Sequence, residues 1–212
     1  MTSLIATAPR SFPALLQRRS VRIGLGLAAL SLGAAAIGLN AYLGAGPQPI
    51  TVTDASGAAT FNFRVTGIPV PGQLGEVHPQ LTFDPRHLGA TTGSVTVDLT
   101  KLNTGIALRD RHARNFIGAP AHPQATFTVT SVIGLNTIRP GQTISGTVAG
   151  QLDLNGVSVP LNAPITLTYP QGDPVITVKT AFNVVFKDHH ITIPGADPQT
   201  DVKVEFRLPA RF

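Results

Sequence analysis

Arg109, Asp110, Arg111, His112 and Arg114 crowd into "LRDRHARNF", in a chain whose charged residues make up only 13% of the total. Three guanidiniums, a carboxylate and an imidazole this close could bind phosphate, hold a metal, serve catalysis, or form a polar lid over an apolar site. The rest of the sequence narrows that choice. No G-x-S-x-G elbow occurs and the chain has no cysteine, so nucleophilic catalysis has no visible centre. The six histidines (His78, His87, His112, His122, His189 and His190) are scattered, and Glu76 and Glu205 are the only glutamates. H-E-x-x-H is absent, and adjacent His189 and His190 would face opposite sides of a strand. Neither a G-x-x-x-x-G-K-[ST] loop nor a G-x-G-x-x-G fingerprint is present, and the glycines of "GLGLAALSLG" lie in a hydrophobic segment. No catalytic residue, metal or cofactor is therefore expected.

Nucleic acid is excluded by where the charge lies. The net charge is +5, but Arg10, Arg18, Arg19 and Arg22 precede Ile50 without a single acid. Beyond that point twelve Lys/Arg face eleven Asp/Glu. A domain that near neutrality lacks the broad cationic surface that phosphate neutralisation needs.

Residues 1–22 are expected to form a basic cytoplasmic N-terminus, because the arginines stand before an uncharged run, "IGLGLAALSLGAAAIGLNAYL" (23–43). As a helix this run would span about 32 Å, enough for a bilayer core. It reads as an uncleaved transmembrane anchor or a cleaved signal segment, and on either reading the remainder is exported. "GAGPQPI" (44–50) reads as a linker.

From residue 51 to 212 the pattern has period two. "TFNFRV" sets Phe61, Phe63 and Val65 on one face; "SVTVDLTKL" does so with Val95, Val97 and Leu99. "QATFTVTSVI" alternates Phe127 and Val129 with threonines, and Leu152 and Leu154 precede Asn155–Gly156, a dipeptide suited to a type I′ hairpin. "PITLTY", "VITVKTAFNVVF" (with Phe182 and Phe186) and "DVKVEFRL" are further strands, while Pro160 and Pro164 suggest edges or bends. Many short strands separated by turns predict an all-β antiparallel sandwich or barrel. "RDRHARNFIGA" breaks the period and reads as one or two helical turns.

"LNTGIALRDRHARNFIGAPAHPQATFTVTSV" (102–132) resembles the central signature of the YceI-like family, through Thr104, Gly105, Arg109, Asp110, His112, Phe116, Pro123 and Phe127. "GQLDLNGVSVPLNAPITL" resembles the family's next hairpin. The resemblance implies an exported, antiparallel lipocalin-like β-barrel with one short helical insert, binding a polyisoprenoid-type chain. It departs at Val65–Phe83, which is rich in Pro and Gly and does not match the family's His-bearing segment. On this reading Phe61, Phe63, Val65, Val95, Val97, Leu99, Phe116, Phe127, Val129, Leu152, Leu154, Phe182 and Phe186 are lumen candidates. Arg109, Asp110, Arg111, His112 and Arg114 are head-group or lid candidates on a helix over Arg109–Phe116, with Asp110 favoured in its first turn. The alternative for each arginine is an ion pair with Asp110, Asp98 or another acid.

The expected partners are an isoprenoid-like lipid or quinone and, through the N-terminal helix, a membrane; a homodimer stays open. The competing function is a filled barrel acting as an extracytoplasmic interaction domain. A weaker third is a metal enzyme using His112, His122 and the Asp188–His190 loop.

Overall fold

The computed structural model describes residues 49–53, 55 and 57–210. The expectations for the basic N-terminus, the hydrophobic helix and most of the linker lie outside these residues. Among the described residues no helix is long and apolar enough to cross a membrane.

Alternation of apolar and polar side chains organises the described chain into nine strands: β1 (Ile50–Val52), β2 (Gly57–Val65), β3 (Ile68–Phe83), β4 (Thr92–Asp98), β5 (Gln124–Ile133), β6 (Gln142–Leu154), β7 (Val157–Tyr169), β8 (Val175–Val185) and β9 (Gln199–Pro209). One α-helix, α1 (Ala107–Phe116), lies between β4 and β5. From β2 to β9 every strand pairs antiparallel with the next, and β9 returns to β2. The result is a closed eight-stranded up-and-down barrel, with the short β1 pairing β3 beyond the end of its ladder with β2. Asn155 and Gly156 turn between β6 and β7 with φ of 54° and 72°, the left-handed geometry that a two-residue hairpin requires.

Where β3 runs, the expectations contain no strand. Its prolines are accommodated because they sit where β3 has a partner on only one side. Pro69 and Pro71 pair with β2 alone, and Pro79 pairs with β4 in the gap between the β2 and β1 ladders. Pro160 and Pro164 follow the same rule. They pair with β6, while β7 meets β8 only from Ile165 to Thr168. "PITLTY" is thus the second half of β7 rather than a separate strand.

The two ends of the barrel differ. At the end where Ile50 enters, the β3–β4 and β5–β6 loops are tied by Leu88 N–H to Asn136 O (2.9 Å) and Ile138 N–H to Pro85 O (2.8 Å). Leu88, Leu135 and Ile138 are buried there as a floor. At the opposite end, two ladders stop short. β3–β4 pairing ceases at Val77–Val97, and β7–β8 pairing at Ile165–Thr180. Across this end lies α1, followed by Gly118 packed against Asn155.

Candidate functional site

The inward rows of the barrel line a cavity of about 220 Å³. Its wall is hydrocarbon apart from Thr91, Thr180 and Thr200, and no ionisable side chain lines it. An apolar void of about 150 Å³ is known to stay dry and accept an aromatic guest, and a wall of this composition offers water few polar partners. Its upper part is aromatic. The Phe61 and Phe63 ring centroids are 5.9 Å apart, and Phe63 meets Phe186 edge-on at 6.4 Å. Bulky residues do not fill every inward layer, as a filled barrel would require.

Helix α1 turns its inner face to the lumen. Ala113 and, just beyond the helix, Ile117 line the cavity. The helix is held by its own charged residues. Asp110, buried in the first turn, accepts from Thr104 N–H (2.7 Å) and from the Thr104 hydroxyl. Those two bonds, with Arg114 and Arg109 nearby, hold its carboxyl below the ordinary aspartate value despite the opposing effect of burial. Arg109 donates through Nε to the Thr104 hydroxyl (2.7 Å) and through Nη2 to Thr104 O (2.6 Å). Arg114 Nη1 donates to Thr100 O (3.0 Å). At the turn after β4, Asp98 accepts from Thr100 N–H and hydroxyl at 2.8 and 2.6 Å, and its carboxyl is likewise held down.

Among the described residues no group of His, Asp and Glu is arranged to hold a metal ion. His189 is buried, with Nδ1 3.1 Å from Val157 O, and Asn155 Nδ2 donates to His189 O (3.1 Å). These contacts tie the β8–β9 connection to the start of β7, which pairs with β6 but not with β8.

A sequence model of the YceI-like domain matches residues 51–210. The chain belongs to the YceI-like family. It is 27% identical over 163 residues to a UPF0312 protein of Vibrio campbellii, covering 72% of this chain and 83% of that protein. To a UPF0312 protein of Pectobacterium carotovorum it is 31% identical over 127 residues, 57% of this chain and 62% of the relative, so it spans less than two thirds of that protein's length. Among solved structures, Burkholderia cenocepacia BcnA superposes with a TM-score of 0.62 at 16% identity, covering 72% of this chain and 96% of that one. A domain from Saccharophagus degradans, described as polyisoprenoid binding and implicated in plant cell wall breakdown, superposes with a TM-score of 0.59 at 15% identity, over 76% and 100% of the two chains. At these identities the two structures establish a shared fold.

In this YceI-like barrel, Phe61, Phe63, Val95, Val97, Leu99, Phe127, Val129, Leu152, Leu154, Phe182 and Phe186 line the cavity. Two lumen expectations are corrected. Phe116 is exposed, because the helical turn gives the inward position to Ile117 instead. Val65 ends β2 half-buried against the aromatic cluster and does not line the cavity. Leu99 reaches the lumen from a 3-10 turn (Leu99–Lys101), not from a strand.

The charged cluster divides. Asp110, Arg109 and Arg114 are engaged by hydrogen bonds with Thr104 and neighbouring carbonyls. Arg111 and His112 point outward and are exposed. The β9 row Val202, Val204, Phe206 and Leu208 also lines the lumen; its period-two alternation was visible in "DVKVEFRL". Ala113 and Ile117 left no such signal, since their inward position depends on how α1 docks.

Proposed function

We propose that the barrel holds a polyisoprenoid-type chain, an isoprenoid lipid or quinone, in its lumen for transport or storage. On this reading the protein binds its cargo and catalyses no reaction on it. It works outside the cytoplasm, with the uncharged 23–43 segment and the arginines before it serving export or anchoring. One observation carries the reading: the barrel holds a cavity whose wall is hydrocarbon and offers no acid, base or nucleophile beyond three threonine hydroxyls. The likeness to a domain described as polyisoprenoid binding supports it.

Each buried CH₂ contributes about 0.8 kcal/mol, so one five-carbon unit supplies roughly 3–4 kcal/mol before ordering costs. Lipid extraction and mass spectrometry on protein purified from its host without harsh detergent is expected to yield a stoichiometric isoprenoid or quinone. An empty lumen that also refuses added geranylgeraniol would overturn the reading. Val148→Phe places a ring in the lumen from a half-buried cavity position, and is expected to lower uptake at least about tenfold while the circular dichroism of the barrel is kept.

A further inference from the structure

Five large apolar side chains are exposed among the described residues, and four of them belong to one end of the barrel. Ile68 (66%) begins β3 at the β2–β3 turn, Ile106 (54%) caps α1, and Leu108 (59%) and Phe116 (41%) lie on the helix. The fifth, Ile133 (56%), is at the opposite end. Leu108, Arg111, His112 and Asn115 recur at three- and four-residue spacing, so they share one exposed face of α1, and Phe116 flanks it. The acid of the helix, Asp110, is buried beneath and bound to Thr104, so the exposed face carries Arg111 without an acidic neighbour on the helix.

We infer that this face is a membrane-docking surface, by which the mouth of the barrel settles on an anionic lipid surface. Leu108, Phe116 and Ile106 would enter the interface while Arg111 meets lipid phosphates. Apolar side chains interspersed with cations are what an interfacial helix presents to a bilayer. The position of the face also fits that occupant. The same helix and the residue after it line the lumen with Ala113 and Ile117, and the β3–β4 and β7–β8 ladders stop short at this end while the other end has a floor. Docking here would bring the openable end of an apolar lumen against the phase that dissolves its cargo. The inference rests on the lumen being a lipid site, but the two are separable by experiment.

The chain has no tryptophan, so a single introduced indole reports one position. Phe116→Trp and, as the control at the far end, Ile133→Trp are made in the full chain and mixed with phosphatidylglycerol vesicles carrying brominated acyl chains. Because the signal is positional, a hydrophobic N-terminal segment bound to the same vesicles does not create it. The expected result is a blue shift and loss of most emission at 116, no change at 133, and recovery at 116 when Arg111→Glu is added or salt is raised. Leu108→Trp serves as a second reporter.

Absence of quenching at 108 and 116, or equal quenching at 133, would overturn the docking surface. So would a shift at 116 that grows with protein concentration in the absence of vesicles, which would assign the face to a second copy of the chain. Uptake of geranylgeraniol from solution, followed by native mass spectrometry, separates the two ideas. Uptake without quenching overturns docking alone, and quenching without uptake supports docking while overturning the lumen reading.

Discussion

The Phe61 ring occupies the space that a side chain at Gly72 would need: a Cβ built there falls 2.2 Å from Phe61 Cζ. The two residues are directly paired between β2 and β3, so their side-chain directions coincide, and only glycine leaves the ring its place over the strand. Gly150 lies diagonal to Phe127, since it pairs with Val129 while Phe127 pairs with Leu152, and its Cβ site falls 2.5 Å from Phe127 Cζ and 2.2 Å from the backbone oxygen of Thr128. Gly72→Ala is expected to cost about 1–3 kcal/mol in urea unfolding, and Gly150→Ala more, because its Cβ would fall 2.2 Å from a strand carbonyl, whereas at Gly72 the nearest carbonyl, that of Asn103, is 2.9 Å away. Adding Phe61→Leu to Gly72→Ala is expected to recover part of the loss, a coupling that a double-mutant cycle measures.

Arg109 and Arg111 are two positions apart and have different work. Arg109 is half-buried and makes two hydrogen bonds to Thr104, whereas Arg111 is exposed. Arg109→Ala is expected to destabilise by about 1.5–3 kcal/mol, since bonds from a charged donor are lost and the Thr104 carbonyl is stripped of its partner. Arg111→Ala is expected to change stability by less than about 0.5 kcal/mol. Chemical denaturation of the two variants side by side decides it.

Asp110 couples the α1 clasp to pH. Its carboxyl is held below the ordinary value of 3.8 by the Thr104 bonds first, then by Arg114 and Arg109. A lowered folded-state pKa means that the ionised carboxylate stabilises the fold in full above the unfolded-state value. That contribution is lost as pH falls through the folded-state value beneath it. Asp110→Asn is therefore expected to melt below the parent at pH 7, with the gap narrowing as pH drops below 3.8. Thermal melts from pH 7 to pH 2.5 would show it; a gap independent of pH would mean that the carboxylate charge is not what holds α1.

Thr180 Oγ1 is buried without a hydrogen-bond partner, at the residue where the β7–β8 ladder ends. An unpaired hydroxyl in a hydrocarbon wall is a net cost. Thr180→Val keeps the shape and removes the hydroxyl, so it is expected to stabilise the protein by about 1 kcal/mol in equilibrium unfolding.

How far the sequence reaches is visible in particular elements. Phe61 and Phe63 on β2, Phe127 and Val129 on β5, and Leu152 and Leu154 on β6 declare their inward face, because period two is a local property of an extended chain and needs no neighbour to be read. Asn155–Gly156 declares its hairpin for the same reason: positive φ is a preference of the residues themselves. The helix is legible to within two residues from the break in that period.

What only the tertiary structure decided is which partners each segment acquires. The prolines of β3 argue against a strand until the staggered ladders show that each faces a side with no partner. The arginine cluster carries one undivided charge pattern, yet the docking of α1 turns Arg109 and Arg114 toward carbonyls and leaves Arg111 outside. Ile117 rather than Phe116 enters the lumen because a helix rotates successive side chains by about 100°, so the angle at which it lands selects the inward residue. The existence of a void has the same origin. Alternation makes a face apolar, and only the closure of eight strands into a ring determines whether that face meets other side chains or encloses space.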